Sequence, residues 1–348
     1  MLVKYYGLVS DEVNKCNVPR HSFLLDELFR FTQPKFLNDK GSESKMLPYF
    51  NRFSPADIEW AKKQHGKMQR DRFYIPSEEE LINYYLMPTG LRYGDAFPQM
   101  IKVQTGFNSM DEYDENQFTT LVEMFNKALM EAISCHLGVF SLCKSVTNEL
   151  MWTHYASEGK GIAITFKEDH PFFKIYPPKD VTYATESRAT ITYFKGSWRL
   201  NGEPIRNYQV SDLSHPLAIY GNLLNNGANL QNLIQGLIFS KAEKWRYEEE
   251  VRIVIPLQSC EIKCGNVINS EFNNISELAH LFSDYHEVCL KKIPADAFDS
   301  VVLGYDVSEG HKMLMISAIK SSEDLRHLKV KQVKHNLYGD LELNDVSF

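Results

Sequence analysis

The 348-residue chain carries 38 Lys and Arg against 45 Asp and Glu, a formal net charge of -7, which excludes a general nucleic-acid coat because such proteins hold a basic excess to neutralise phosphates. Hydrophobic residues make up 43% and charged residues 24%, which excludes an apolar-poor disordered chain and leaves enough to bury a sizeable core. No apolar run reaches the roughly 18 residues of a membrane span, and Met1-Leu2-Val3-Lys4-Tyr5-Tyr6 lacks a signal peptide's apolar stretch, so a cytoplasmic protein is expected.

In chain order, Leu2-Val3-Lys4-Tyr5-Tyr6-Gly7-Leu8 is rich in β-formers and predicts an opening strand, with a helix starting after Ser10-Asp11. Leu28-Phe29-Arg30-Phe31-Thr32 predicts a second strand that Pro34 ends, and Leu37-Asn38-Asp39-Lys40-Gly41 has the chemistry of an Asx-rich loop. Over 54–135 the pattern turns helical. Phe118, Leu121, Val122, Phe125, Ala128, Leu129, Ala132 and Ile133 recur at three and four, one apolar stripe on a long helix. Gly138-Val139-Phe140-Ser141-Leu142 predicts a strand, then a helical turn from Met151, a turn at Glu158-Gly159-Lys160-Gly161 and a strand at Ile162-Ala163-Ile164-Thr165-Phe166.

Val181-Thr182-Tyr183 and Thr190-Ile191-Thr192-Tyr193-Phe194 read as short strands, 216–239 as an interrupted helix, and Val251-Arg252-Ile253-Val254-Ile255 and Ser300-Val301-Val302-Leu303 as strands. Ser308 caps a helix that places Met313, Ile316 and Ile319 on one face, and a last strand begins at Leu328. Helices and strands do not alternate regularly. The expectation is therefore one α+β domain over 1–348, with a mixed, mostly antiparallel central sheet and 54–135 as a mainly helical insertion.

Two segments hold residue types fit for chemistry. Lys241 to Arg252 contains four basic and four acidic side chains. If a strand begins near Tyr247, the two-residue period aims Glu248, Glu250 and Arg252 at one face. Two acids raise one another's pKa and a nearby Arg lowers it, so the group is either a polar cluster with a task or an ion-pair ladder on a solvated face. In Met151-Trp152-Thr153-His154-Tyr155-Ala156-Ser157-Glu158-Gly159-Lys160-Gly161, Trp152 and Tyr155 offer flat faces, His154 could move a proton near neutral pH, and Gly159 and Gly161 allow close backbone approach. Against this, a His beside aromatics is commonly a core residue, and a third candidate binding pair, Asn38-Asp39, reads better by composition as a turn.

The six cysteines form no CxxC and are expected to be free thiols, and no metal, P-loop, GxSxG or GxGxxG pattern is present.

Taken in order, Lys4-Tyr5-Tyr6, Asn38-Asp39, Phe140-Ser141-Leu142-Cys143, Met151 to Gly161, Lys241 to Arg252 and Val302-Leu303-Gly304 resemble the blocks of a large bacterial family classified as a domain of unknown function. The chain departs from it at the loop, where Lys40-Gly41-Ser42-Glu43 stands in place of Pro-Phe-Glu. More distantly the arrangement is similar to the ADP-ribosyltransferase superfamily, with a basic or polar residue on an early strand, an aromatic or hydroxyl residue on a middle strand and Glu-x-Glu opening a late one.

That likeness implies an ADP-ribosyltransferase-like fold and an NAD-dependent transferase or NAD-hydrolysing effector, such as a toxin or antiviral defence component, with NAD as substrate and a protein or nucleic acid as acceptor. It implies Glu250 as the carboxylate that holds the ribose hydroxyl and Glu248 as the group that positions the acceptor, with Arg252 keeping both ionised. Tyr5, Tyr6, Trp152 or Tyr155 would sandwich nicotinamide, and Lys4, His154 or Lys160 would meet phosphate or ribose oxygens. The alternatives are a non-catalytic nucleotide-sensing or partner-binding module and, third, a nuclease.

Overall fold

The computed structural model describes residues 1–11, 16–38, 44–68, 74–204, 230–268 and 284–347. β1 (Leu2–Tyr6) passes through Gly7 into β2 (Leu8–Asp11), which pairs antiparallel with β3 (Cys16–Pro19), so a ribbon stands where a helix start was expected. One helical turn, Phe23–Asp26, precedes β4 (Leu28–Arg30) and β5 (Leu47–Phe50). After the helical stretch come β6 (Leu137–Cys143), β7 (Ile162–Phe166), β8 (Lys179–Asp180), β9 (Thr190–Phe194), β10 (Ser197–Leu200) and β11 (Glu203–Pro204). The chain ends with β12 (Glu250–Pro256), β13 (Ile262–Val267), β14 (Tyr285–Lys292), β15 (Phe298–Leu303), β16 (Lys329–His335) and β17 (Leu341–Asp345).

The fold is α+β with mixed sheets. Eight strands lie in the order β17-β16-β15-β7-β1-β6-β12-β8, antiparallel except where β15 meets β16. Two smaller sheets, β11-β10-β9-β5 and β13-β14-β4, draw on strands that fall between those of the large sheet along the chain. The strand expected at Val181 to Tyr183 is shifted to β8, and Thr182 makes only an isolated bridge to Ser240. Of the helix expected over 216–239, Leu230–Ile238 is helical, and 216–229 lies outside the described residues.

Residues 54–135 are mainly helical. Ser109 caps the helix Met110–His136 by accepting from the Glu112 N–H, and Asp111 and Glu112 in its first turn suit the positive end of the helix dipole. Its stripe, Phe118, Leu121, Val122, Phe125, Leu129, Ala132 and Ile133, is buried, while the Ala128 side chain lies outside the description. The stripe packs with Ile191, Trp198 and Leu237 in a core of its own, apart from the core formed by Phe29, Phe140, Phe166, Ile253 and Phe298. A buried ion pair fastens the first helix, Pro55–Met68, to the second sheet: Asp57 accepts from Arg199 Nε at 3.0 Å and from the Thr192 hydroxyl at 2.6 Å. Ser308 caps the helix Glu309–Ser321 as expected, but Met315, Ile316 and Ile319 face the core and Met313 faces solvent. Among the described residues no helix is long and apolar enough to cross a membrane.

Candidate functional site

Three neighbouring strands build the site. β6 and β12 pair in full register, with Glu250 opposite Cys143 and Arg252 opposite Ser141. β1 meets β6 at one register position only, Val3 opposite Cys143, and Lys4 reaches across to donate to the Ser141 carbonyl at 2.8 Å. The side chains between them line a cavity of about 270 Å3 that includes Lys4, Tyr5, Arg30, Asn38, Ser141, Tyr155, Lys241, Glu248, Glu250 and Arg252. A larger hollow of about 610 Å3 lies elsewhere, against the helix Pro55–Met68; its charged lining, such as Lys63, Glu186 and Glu203, is solvent-exposed and shows no comparable convergence of buried charge.

The acidic segment is not one continuous strand. Glu243–Glu248 is a 3-10 helix, Glu249 adopts φ 44° in the left-handed region, and β12 begins at Glu250. The reversal at Glu249 turns Glu248 and Glu250 into the same cavity and leaves Glu249 exposed. Both acids are buried, at 3% and 5% exposure, with Arg252 at 1%, which rules out a ladder on a solvated face. Lys241 joins them, its ammonium donating to Glu248 Oε2 at 2.6 Å and to Glu250 Oε2 at 3.1 Å. Glu248 Oε1 accepts from the Tyr155 hydroxyl at 2.6 Å. Arg252 grips Glu250 in a fork, Nε to Oε1 at 2.7 Å and Nη2 to Oε2 at 3.0 Å, and its Nη1 donates to the Ile238 carbonyl. The Glu250 N–H is itself anchored on the Tyr183 hydroxyl at 2.8 Å.

Burial sets the proton affinities here, and charge partners oppose it. Burial pushes Glu250 above the ordinary carboxylate range, against the pull of Lys241 and of a Ser141 hydrogen bond. It also pushes Lys4 down to about 8, with Glu250 the largest opposing influence. Arg252 is lowered by burial to about 9, which leaves its guanidinium charged at neutral pH. Tyr155 is raised by burial and by its bond to Glu248, so it is a neutral donor. Burial raises the Cys143 thiol to about 12, so it stays protonated.

Of the residues singled out in the sequence, Lys4, Tyr5, Asn38, Tyr155, Glu248, Glu250 and Arg252 come together. The others do not. His154 is exposed and leans on Tyr247, with 6.1 Å between ring centroids, outside the cavity lining. Lys160 is exposed and paired with Glu158 at 3.6 Å. Trp152 is fully buried, donates its indole N–H to the Val146 carbonyl and meets Tyr5 edge-on, so it supports the site without a free face for a ligand. Tyr6 points to the opposite side of β1 from Tyr5 and stacks on Phe23. Asp39 lies outside the described residues.

The glycines serve close packing within the chain, with the Tyr305 ring seated 2.4 Å from where a Cβ on Gly159 would stand and backbone carbonyls against the next two. A Cβ on Gly161 would sit 2.1 Å from the Tyr6 carbonyl oxygen, and one on Gly304 would sit 2.0 Å from that of Gly159. Lys241, Ser141 and Arg30 were not singled out; the balanced charge of the Lys241 to Arg252 segment was the signal that could have found Lys241.

Residues 151–253 match a protein family described as Protein of unknown function (DUF2971). The DUF2971 match takes in Tyr155, Lys241, Glu248, Glu250 and Arg252, while Lys4, Arg30 and Ser141 precede it. No curated protein and no solved structure matches the chain.

Proposed function

We propose that the cavity cleaves the nicotinamide–ribose bond of NAD, making the protein an ADP-ribosyltransferase-like or NAD-hydrolysing enzyme on a fold of that kind. The observation that carries the reading is the buried pair Glu248 and Glu250, the first ending a 3-10 helix and the second opening β12, which pairs with β6 and its Ser141, itself beside β1 with Lys4. A basic residue on β1, a hydroxyl on β6 and Glu-x-Glu at the start of β12 is the order the superfamily likeness calls for. Departure of nicotinamide builds positive charge on the ribose, and a fixed carboxylate that accepts from the neighbouring hydroxyl gains strength as that charge grows. Glu250, gripped by Arg252, has the fixed orientation for this role. Glu248, held by Tyr155 and Lys241, would position the acceptor or water. At about 270 Å3 the cavity takes the reacting end of a dinucleotide with the remainder outside.

Nicotinamide release from NAD, followed chromatographically with water, protein and nucleic acid as acceptors, tests this. The wild type is expected to release it and Glu250→Gln to lose about 10²–10³-fold. No release with any acceptor, and no difference for a folded Glu250→Gln, would remove the reading. One observation favours nucleotide sensing instead: both Glu250 oxygens already accept from Arg252, and one also from Lys241. A nucleotide that raises the melting temperature and is recovered unchanged would support that alternative.

A further inference from the structure

The helical stretch carries a cavity of its own, of about 570 Å3, which shares no lining residue with the cavity between β1, β6 and β12. The helix Pro55–Met68, the short helix Glu78–Leu81 and the turn after it contribute to its lining, which includes the rings of His65, Tyr74, Tyr84 and Tyr85 and the buried Leu81. Ser77 opens the short helix with a reciprocal cap on Glu80. Beyond Leu81 the backbone widens into one π-helical turn, Ile82–Leu86, closed by the Met87 N–H on the Ile82 carbonyl at 2.9 Å. Such a turn is rare and is found frequently at functional sites, and this one carries Tyr84 and Tyr85. Along the series Tyr74, His65, Tyr85, Tyr84, each ring meets the next at 56°, 85° and 64°, with centroids 6.2, 5.9 and 4.9 Å apart. No pair in the series is stacked face to face. Tyr84 is 79% exposed and Tyr74 49%, so much of their ring surface is left in water. The described lining holds one carboxylate, Glu80, and no lysine or arginine. The Tyr74 hydroxyl and the Ser77 N–H and hydroxyl donate to Glu80 and hold its carboxyl below the usual range, so it stays ionised.

We propose that this cavity binds the alkylated ammonium head of a small organic cation. A tyrosine ring is negative over its face, and rings set at angles to one another attract a cation from more than one side. Glu80 supplies the opposite full charge, already oriented by its cap and by Tyr74. An alkylated ammonium is weakly hydrated and gives up little on entering, whereas a metal cation would shed a tight water shell that phenol faces do not replace. An anion meets a carboxylate here and no lysine or arginine among the described residues. At about 570 Å3 the cavity has the size of a small-molecule site, with room for the remainder of a ligand beyond its ammonium head. This site is separate from the chemistry proposed for the cavity on β1, β6 and β12, and neither rests on the other.

Isothermal titration of the full chain with choline tests the site, beside its neutral analogue in which a tert-butyl group replaces the trimethylammonium and keeps the shape without the charge. Expected are saturable binding of choline and about tenfold weaker binding of the analogue. Tyr84→Leu removes an exposed ring, so the fold is kept, and it should weaken choline about threefold to tenfold. Tyr84→Phe keeps the ring and should bind as the wild type does. Glu80→Gln retains the helix cap, which glutamine also completes, and should lose about threefold, with the loss shrinking at high salt. No saturable choline binding by the wild type overturns the proposal, as does equal affinity for the neutral analogue. Wild-type affinity in both Tyr84→Leu and Glu80→Gln overturns it too, because choline would then be held elsewhere on the molecule. Choline binding that depends on Tyr84 in a protein that never cleaves NAD would keep this site and remove only the reaction proposed for the other cavity.

Discussion

Lys241 places one ammonium between two buried carboxylates, and the energetics of the site turn on it. Truncating one member of a buried ion group leaves the others uncompensated, so Lys241→Met is expected to cost about 3–5 kcal/mol near neutral pH. Glu250 already has its proton affinity raised by burial, with Lys241 the largest opposing force. A carboxyl raised in the folded state favours folding while it is protonated, and that contribution disappears as pH rises through the folded value. Removing the ammonium raises Glu250 further, so the deficit of Lys241→Met must be smaller at pH 5 than at pH 7. Urea unfolding of wild type and variant at the two values checks this; an equal deficit at both would mean that Lys241 acts by packing and not by charge. The types and order of Glu248, Glu250 and Arg252 were legible in the sequence because their spacing is local. Lys241 and Arg30 were not, since their places depend on how a 3-10 turn and a separate strand meet the sheet.

At the scale of elements, the turn at Glu249 is what converts an acidic run into a site. The two-residue period of a strand from Tyr247 puts Glu248, Glu250 and Arg252 on one side, and the structure reaches the same convergence differently, through a left-handed residue between a 3-10 helix and β12. That geometry costs a non-glycine residue about 1–2 kcal/mol, partly offset on replacement by the greater unfolded-state freedom of glycine. Glu249→Gly is therefore expected to be neutral or to stabilise by up to about 1 kcal/mol, and Glu249→Val to destabilise by about 1–2 kcal/mol, read by urea unfolding. Equal stability of the two variants would show that the turn does not constrain this position. The same distinction between local and distant information explains the block from Met151 to Gly161. Its helix and turn were readable from residue types. Its fully buried Trp152 is fixed by an edge-on contact with Tyr5 and a hydrogen bond to the Val146 carbonyl, and its exposed His154 leans on Tyr247, which no local pattern reports.

For the whole molecule, the question is whether the helical stretch and the large sheet unfold together. Their cores are separate in composition, yet β6 serves three of them: Val139 packs with the helical stripe, Phe140 and Leu142 with the main core, and Cys143 with the group around Tyr5 and Trp152. The helix Met110–His136 also runs into β6 without a loop, ending at the residue before Leu137. Shared burial along one strand makes partial unfolding expose apolar surface on both sides, so a single cooperative unit is expected. Phe125 is 2% exposed in the helical core, and Phe125→Ala should cost about 3–5 kcal/mol through the lost contacts and the cavity left behind. Hydrogen exchange across a urea series then separates the possibilities. In one cooperative unit, the protected amides of β7 in the main sheet lose the same free energy as those of β9 beside the helical core. If β9 alone becomes labile and β7 keeps its wild-type protection, the helical stretch and second sheet form an independent domain, and the site on β1, β6 and β12 would survive their unfolding.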